Sequence, residues 1–311
     1  MRVLITGSSG QIGTNVGLRL MERGDEVVGL DNRPNSWTAK LTTVPCDLAE
    51  CRRGELPVSG RFDAVIHLAA HAKVFELVEN PNRALENVGM LFQALEFARR
   101  NRTPFIFGSS REVYGDIHRH VTEERQADFV VAESPYSASK IAGEAFIYSF
   151  AQCYRLPHIV FRFSNVYGRY DCDLERMERV IPLFIRRIAR DESITVYGPE
   201  KVLDFTYIDD CTEGVLRGLD ALVAGRIYRE TFNLAFGQGQ TLLDLVNLIG
   251  LALRRQPRAT YEPARSGEVT RYVADISKAR ELLGYKPATP LTAGVPLAIE
   301  WQVKNGYLRL E

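Results

Sequence analysis

The stretch RVLITGSSGQIG, Arg2 to Gly13, decides how the chain folds. Its first half, Arg2–Thr6, is a short apolar run ending at glycine and reads as a buried strand. Its second half places Gly7, Gly10 and Gly13 three residues apart and runs into an amphipathic segment near 12–24, which reads as a helix. Glycine at a strand end permits a tight turn and lets the backbone approach a pyrophosphate. The helix start adds free N–H donors and the positive end of its dipole. Gly7, Gly10, Gln11, Ile12 and Gly13 are therefore the candidate dinucleotide cradle. A turn of purely structural use explains such a trio on its own; the strand-turn-helix setting is what points to a ligand.

The same alternation continues outward from this turn. Glu26–Leu30, Ala64–Leu68, Phe105–Phe107 and His158–Phe163 read as buried strands, and segments near 83–100 and 135–155 as helices. That order predicts an α/β fold with a Rossmann-type doubly wound parallel sheet and helices on both faces. After Asn165 the pattern changes. VIPLFIRRIAR (180–190) reads as a helix, ITVYG (194–198) and FNLAFG (232–237) as strands, and DFTYIDD (204–210) as a strand meeting a helix. TLLDLVNLIGLAL reads as a helix capped by Thr241, and the proline-rich tail ends in a helix near 292–305. The expected division is a dinucleotide-binding domain over 1–168, to which 204–236 returns. A smaller, partly discontinuous C-terminal substrate-binding lobe takes 169–203 and 237–311.

Two further features carry chemistry. EVVGLDN ends at Asp31, where a carboxylate can take the ribose hydroxyls of an adenosine and repel a 2′-phosphate, favouring NAD over NADP. Arg33, two residues on, weakens that preference. Tyr136 and Lys140 in SPYSASK lie four apart and share a helix face. A phenol has a reference pKa of about 10 and is a poor base near pH 7. A neighbouring ammonium and an oxidised nicotinamide would lower that value, so that Tyr136 takes a proton from a sugar hydroxyl. Taken alone, a Tyr-x-x-x-Lys pair is ordinary helix surface. The glycine turn upstream and the serine loop GSSREVYGD (108–116) between them turn the reading towards a reaction.

Bulk properties narrow the class. At 311 residues the chain can bury a large core. Lys plus Arg and Asp plus Glu each total 39, which gives no electrostatic reason to expect nucleic acid or an anionic membrane as partner. No apolar run approaches the roughly 20 residues that span a bilayer, and the apolar start is too short for a signal peptide. Cys46, Cys51, Cys153, Cys172 and Cys211 form no Cys-x-x-Cys pair, which argues against a disulfide framework or zinc site and suits a reducing cytoplasm. His118-x-His120, the one spacing of metal-ligand type, reads as a polar loop, so no metal is expected.

GSSGQIG, the strand-end Asp31, CDL (46–48), HLAA (67–70), ENVGM (86–90), SSREVYG, YSASK and RFSNVYG follow one another in this order. VIPLFI, DFTYIDD, RSGE (265–268) and ADISKA (274–279) continue the series. Over almost its whole length the chain resembles the extended short-chain dehydrogenase/reductase family, in particular its NAD-dependent nucleotide-sugar epimerases and dehydratases. The resemblance implies that Ser110 bridges the sugar and Tyr136, that Lys140 also holds the nicotinamide ribose, and that Asp31 and Asn32 meet the adenosine ribose. It places Asp47 and Leu48 beside the adenine, with Leu68, Ala69, Ala70, Asn87, Ser109 and Phe163 lining the cofactor. Asn165 and Arg265 become contacts of a nucleotide diphosphate, a role that suits bidentate arginine, although a solvated loop charge also explains Arg265. A UDP-sugar is the implied substrate, and the helices near 83–100 and 135–155 the faces of a homodimer.

The chain departs from the family pattern in two places. Leu203 stands before Asp204 where relatives carry arginine, so Lys201 or another residue must take over a phosphate contact. Arg169 follows RFSNVYG where proline is usual.

Oxidation at C4 to a transient keto-sugar is the shared first step that the resemblance implies. A 4-epimerase then returns hydride to the opposite face, a 4,6-dehydratase expels water, and a uronate decarboxylase releases carbon dioxide. Dehydratases carry an acid where this chain has Arg111, and a guanidinium cannot donate that proton. Glu112, a candidate acid/base, matches the decarboxylases as well. The reading is a 4-epimerase, with UDP-glucuronate decarboxylase, 4,6-dehydratase, NADPH-linked reductase and a non-catalytic NAD-sensing regulator as alternatives. Arg111 faces C6 by this alignment and suits a uronic-acid carboxylate; otherwise it points to solvent or pairs with Glu112.

Overall fold

Val3, Leu4 and Ile5 are fully buried, and their alternating side chains feed two separate cores. That single strand shows how the computed structural model is layered. The structure describes residues 1–115, 132–175, 178–265 and 269–310; His118, His120 and part of the RSGE motif lie outside them. In chain order the strands are β1 (Arg2–Thr6), β2 (Glu26–Asp31), β3 (Thr43–Pro45), β4 (Ala64–His67), β5 (Phe105–Ser110), β6 (His158–Phe163) and β7 (Asn165–Tyr167). They continue with β8 (Ile194–Tyr197), β9 (Val202–Tyr207), β10 (Glu230–Leu234), β11 (Gly239–Thr241), β12 (Ala259–Glu262) and β13 (Arg271–Tyr272). The helices are α1 (Gln11–Glu22), α2 (Val74–Glu79), α3 (Asn82–Asn101), α4 (Pro135–Tyr154) and α5 (Val180–Ala189), then α6 (Ile208–Val223), α7 (Leu242–Leu253), α8 (Ser277–Leu283) and α9 (Leu291–Lys304).

A seven-stranded sheet runs in the order β10-β6-β5-β4-β1-β2-β3, parallel throughout. Strands covered on both faces must be apolar along their length, which is why these runs lack strand-type alternation. Val3 and Ile5 pack with Val16 and Leu20 of α1 on one face, where α1 meets α6. Leu4 packs with Leu91 and Leu95 of α3 on the other, where α3 meets α4. Each such side chain contributes about 1.5–3 kcal/mol relative to exposure. The sheet is thus doubly wound, and the strand order reverses between β1 and β4. Open α/β sheets bind ligands at the carboxyl ends of strands flanking such a point.

A second, smaller sheet runs β11-β9-β13, with β7 also paired to β9, and β8 pairs with β12 beside it. Helices α5, α7 and α9 pack around these strands. Residues 204–207 belong to β9 in the small sheet; α6 packs on α1, and β10 then joins β6. Strand pairing over such sequence distances is set by register, which local patterning does not reveal.

Candidate active site

The turn after β1 is shaped so that only glycine fits at two of its positions. Gly7 sits at φ +73°, and a Cβ there would lie 2.6 Å from the Ala69 backbone nitrogen. A Cβ on Gly13 would lie 2.3 Å from the Gly7 carbonyl oxygen. Helix α1 therefore starts hard against the strand end. Gly10 is its N-cap and supplies no side-chain acceptor, so amides of the first turn face outward for an anion. Gln11 is buried; Arg179 donates to its Oε1, and its Nε2 is a buried donor without a partner among the described residues.

Asp31 closes β2 beside this turn. Its Oδ2 accepts from the Ser9 amide at 3.0 Å and its Oδ1 from the Arg33 amide at 3.3 Å. Burial raises its pKa, opposed by the Ser9 N–H and by the Arg33 guanidinium, whose Nε lies 3.7 Å away. Arg33 also donates to the Ser9 carbonyl at 3.0 Å, so it lies along the turn, near the carboxylate whose selectivity it bears on. Leu68, Ala69 and Ala70, all half-buried, follow β4 directly across the switch point. The loop they begin is tied down by Asn87, which accepts from the His71 amide at 2.7 Å and donates to the His71 carbonyl and to Ser139. The tight turn, the uncapped helix start and the strand-end carboxylate together fit a dinucleotide with two ribose hydroxyls.

Strand β5 runs three residues beyond the expected Phe107 and carries Ser109 and Ser110 to its end. A 3₁₀ turn, Arg111–Tyr114, follows, with Ser110 as its N-cap: the Ser110 Oγ accepts from the Glu112 amide at 3.2 Å. Helix α4 starts opposite, fixed by Pro135 at its first position and a reciprocal cap between Ser134 and Ser137. Tyr136 and Lys140 lie on the same face of this helix and are both buried. Lys140 Nζ donates to the Gly108 carbonyl at 2.8 Å and lies 5.7 Å from the Tyr136 ring centre.

The protein around Tyr136 shifts its phenol upward. Burial pushes the phenol up to about 12; Ser110 lowers it, Glu112 raises it further, and Arg179 and Arg111 lower it. The desolvation of a fully enclosed phenol outweighs the cations around it. Lys140 is shifted down to about 8 by burial, with the Glu144 carboxylate opposing.

Arg111 and Glu112 pair with each other. Arg111 Nη2 lies 3.0 Å from Glu112 Oε1, and the side chains are 12% and 7% exposed. Arg111 also lies over the Tyr272 ring at 5.7 Å, and its charge reaches Asp204. Arg111 Nη1 and Glu112 Oε2 are buried without partners among the described residues. The pairing removes the solvent-facing option for Arg111 and meets its charge within the protein. Asp204 is fully enclosed and accepts the amides of Phe236, Gly237 and Ala274, so it anchors the smaller sheet's loops. Leu203 beside it is packed in the core, in register with Tyr272, and Lys201 is buried against Gly198.

Other expected residues are spread around this centre. Phe163 packs at the Gly108 position and ends β6; the Asn165 amide donates to the Asp204 carbonyl at 3.0 Å, joining β7 to β9. Asn32 and Asp47 are exposed, and Asp47 caps the Ala49 amide at 2.9 Å, while the Leu48 side chain is core. Arg265 stacks over Tyr197 at 3.9 Å with Phe75 at 5.8 Å. Arg169 pairs with Asp209 and touches Asn15 of α1. Three residues escaped the sequence reading. Arg179 links Gln11 to Asp171 at 2.7 Å, and Glu144 and Arg162 form a pair at 2.6 Å behind Lys140. Glu144 stands four residues after Lys140 and Arg162 interrupts an apolar strand, so both left a trace in the sequence. Among the described residues no cluster of His, Cys, Asp or Glu could hold a metal ion, and no helix is long and apolar enough to cross a membrane.

Comparison with known proteins gives the family of the chain. The model of the NAD dependent epimerase/dehydratase family matches residues 3–235. UDP-glucuronate 4-epimerase 1 of Arabidopsis thaliana is 32% identical over 98% of this chain and 77% of its own length. The UDP-glucose 4-epimerase of Thermotoga maritima, solved with UDP-glucose, superposes with a TM-score of 0.90 at 30% identity, covering 98% of this chain and 99% of that one. The UDP-glucose 4-epimerase of Thermus thermophilus, solved with NAD, superposes with a TM-score of 0.84 at 27% identity, over 97% and 98% of the two chains. The chain belongs to the NAD dependent epimerase/dehydratase family.

Proposed function

We propose that this protein is an NAD-dependent 4-epimerase of a UDP-sugar. The observation that carries the reading is the meeting of Ser110, Tyr136 and Lys140 at the end of β5, beside the glycine turn. The names and bound molecules of the similar proteins, UDP-glucuronate and UDP-glucose 4-epimerases, support the substrate class. Gly7, Gly10, Gly13 and Asp31 hold the dinucleotide, with Leu68, Ala69, Ala70, Asn87 and Phe163 along its course; when bound, it supplies reversible hydride acceptance. Tyr136 accepts the proton of the sugar C4 hydroxyl and gives it back, Ser110 holds that hydroxyl and the phenol in line, and Lys140 supplies the positive charge that favours the phenolate. Burial of Tyr136 keeps the phenol protonated until a cation approaches, which confines base chemistry to the loaded site.

Glu112 stays bound to Arg111 and tunes Tyr136 through its charge. Asn165 and Arg265 serve the nucleotide diphosphate, and residues 169–203 and 237–311 form the lobe that receives it. The setting is cytoplasmic, in keeping with the five free cysteines. Leu85 and Phe92 on α3 and Phe146 and Tyr148 on α4 expose an apolar surface, and these helices form the face of a homodimer. A monomeric mass by light scattering at micromolar concentration would contradict the dimer. Incubation with UDP-glucose, UDP-glucuronate, dTDP-glucose and GDP-mannose, followed by NMR and mass spectrometry, tests the activity. Unchanged mass with inverted C4 is expected for a UDP-sugar.

A further inference from the structure

Behind the Tyr136–Lys140 pair lies a buried polar network that the proposed reaction does not by itself use. Tyr136, Lys140 and Glu144 stand four residues apart on α4 and form one stripe facing the sheet. Glu144 Oε1 accepts from Ser109 Oγ at 2.6 Å and from Arg162 Nε at 3.0 Å, and its Oε2 accepts from Arg162 Nη2 at 2.6 Å. Arg162 is itself buried in β6, in register with Ser109 on β5. Its Nη1 donates to the Tyr114 hydroxyl at 2.9 Å; that hydroxyl donates to Asn233 at 2.9 Å, and Asn233 donates to the Asp275 carbonyl at 3.0 Å. The chain of bonds thus joins α4, β5, β6 and β10 immediately beneath the reacting groups.

A buried ion pair is an expensive way to join four elements, since apolar packing of similar volume does so without desolvating two charges. Its placement suggests what it does. Lys140 fixes β5 by the Gly108 carbonyl, and Glu144 fixes the next residue by the Ser109 hydroxyl. Ser110 follows directly. We propose that Glu144 is a positioning residue for the proposed epimerisation: its carboxylate holds the Ser109–Ser110 strand end in line and sets a counter-charge on the stripe beside Lys140, while Arg162 keeps Glu144 in place.

Among the described residues, the groups around Lys140 leave this task to Glu144. From α4 it faces Tyr136 and Glu144; from β5, the Gly108 carbonyl and the Phe107 ring at 4.9 Å; from β4, His67. His67 is neutral, its pKa held down at about 3 by burial and by Lys140 itself. Tyr136 is protonated in this environment. Glu144 is therefore the anion that opposes the desolvation of Lys140, whose pKa stands at about 8. An ammonium there is present below about pH 8 and is lost as pH rises through that value.

Two kinds of substitution separate the two duties. Glu144→Gln keeps an acceptor for Ser109 and removes the charge; Ser109→Ala removes the hydrogen bond and keeps the charge. The assays are the basic limb of kcat against pH and the titration of Lys140 by NMR of 13Cε-lysine-labelled protein, assigned with Lys140→Arg. In Glu144→Gln both the limb and the midpoint are expected to move down by about one pH unit, the low end of what a neighbouring opposite charge does. In Ser109→Ala kcat is expected to fall about 2–10-fold, as for one lost hydrogen bond, with the midpoint unmoved. The double variant Glu144→Gln/Arg162→Gln leaves no orphan charge and is expected to show the same lowered midpoint, which covers the case where the single variant does not fold. A midpoint unchanged from wild type in the folded Gln variant, or lowered equally by Ser109→Ala, overturns the proposal. Because the titration needs no sugar, absence of epimerase turnover refutes the function while the midpoint still decides the role of Glu144.

Discussion

Replacing Arg111 by alanine separates two explanations of this side chain. In the structure its guanidinium lies 3.0 Å from Glu112, with both side chains nearly enclosed at 12% and 7% exposure. Removing it leaves a buried carboxylate without its counter-charge, a change that costs about 3–5 kcal/mol in general. The residual exposure of Arg111 points to the low end, about 3 kcal/mol. With about 2.1 cal/mol/K of unfolding entropy per residue over 311 residues, that lowers Tm by about 5 °C. The same change removes a cation that lowers the Tyr136 pKa and leaves the anion that raises it. Turnover is therefore expected to fall about tenfold or more on every substrate, the factor worth 1.36 kcal/mol at the barrier. The assay is thermal denaturation together with kcat/KM on UDP-glucose and UDP-glucuronate. Adding Glu112→Gln removes the orphan charge and is expected to restore stability to within about 1 kcal/mol of wild type. An unchanged Tm with a loss confined to UDP-glucuronate would refute this reasoning and give Arg111 to a substrate carboxylate instead.

Three other outcomes follow from the site. Asp31→Ala removes the carboxylate beside Arg33 and is expected to shift the NADP-to-NAD ratio of binding constants towards NADP by about tenfold or more, since 1.4 kcal/mol is tenfold; titration calorimetry with both dinucleotides reads it. Tyr136→Phe is expected to lower kcat about 10²–10⁴-fold while Tm stays near wild type, because the ring remains packed and only the proton acceptor goes. His67, fully buried, has its pKa lowered to about 3 from 6.5, so below pH 6.5 the unfolded chain binds a proton that the folded one does not. That stability is fully present above about pH 6.5 and falls by about 1.4 kcal/mol per pH unit on acidification towards pH 3. His67→Gln, which keeps a partner for Thr6, is expected to flatten that acid slope in denaturant titrations from pH 4 to 7.

The features legible in the sequence are those written in local spacing. Gly7, Gly10, Gly13 and the strand-end Asp31 needed only a strand, a turn and a helix, and Tyr136 and Lys140 only the 3.6-residue repeat. What depends on burial or register was not legible. The upward push on the Tyr136 phenol is not written in local spacing, because desolvation is set by everything packed around the ring. Arg111 and Glu112 are adjacent in sequence, and neighbours in a regular helix do not face each other. The 3₁₀ turn directly after β5 is what brings their tips together. Glu144 and Arg162 lie eighteen residues apart and meet only because α4 crosses β6 and β5. For the same reason local spacing does not reveal that β9 pairs in the small sheet while β10 joins β6 in the large one.

Tyr136, Ser110 and Lys140 are proposed to serve inversion at C4 of a UDP-sugar. The most direct measurement is conversion of UDP-glucose and UDP-glucuronate by the NAD-loaded protein in D2O, read by proton NMR and mass spectrometry. Inverted C4, unchanged mass and full retention of the C4 hydrogen without deuterium are expected, because the hydrogen that leaves C4 returns there without meeting solvent. Deuterium at C4 or C5, loss of water or loss of carbon dioxide would contradict the account.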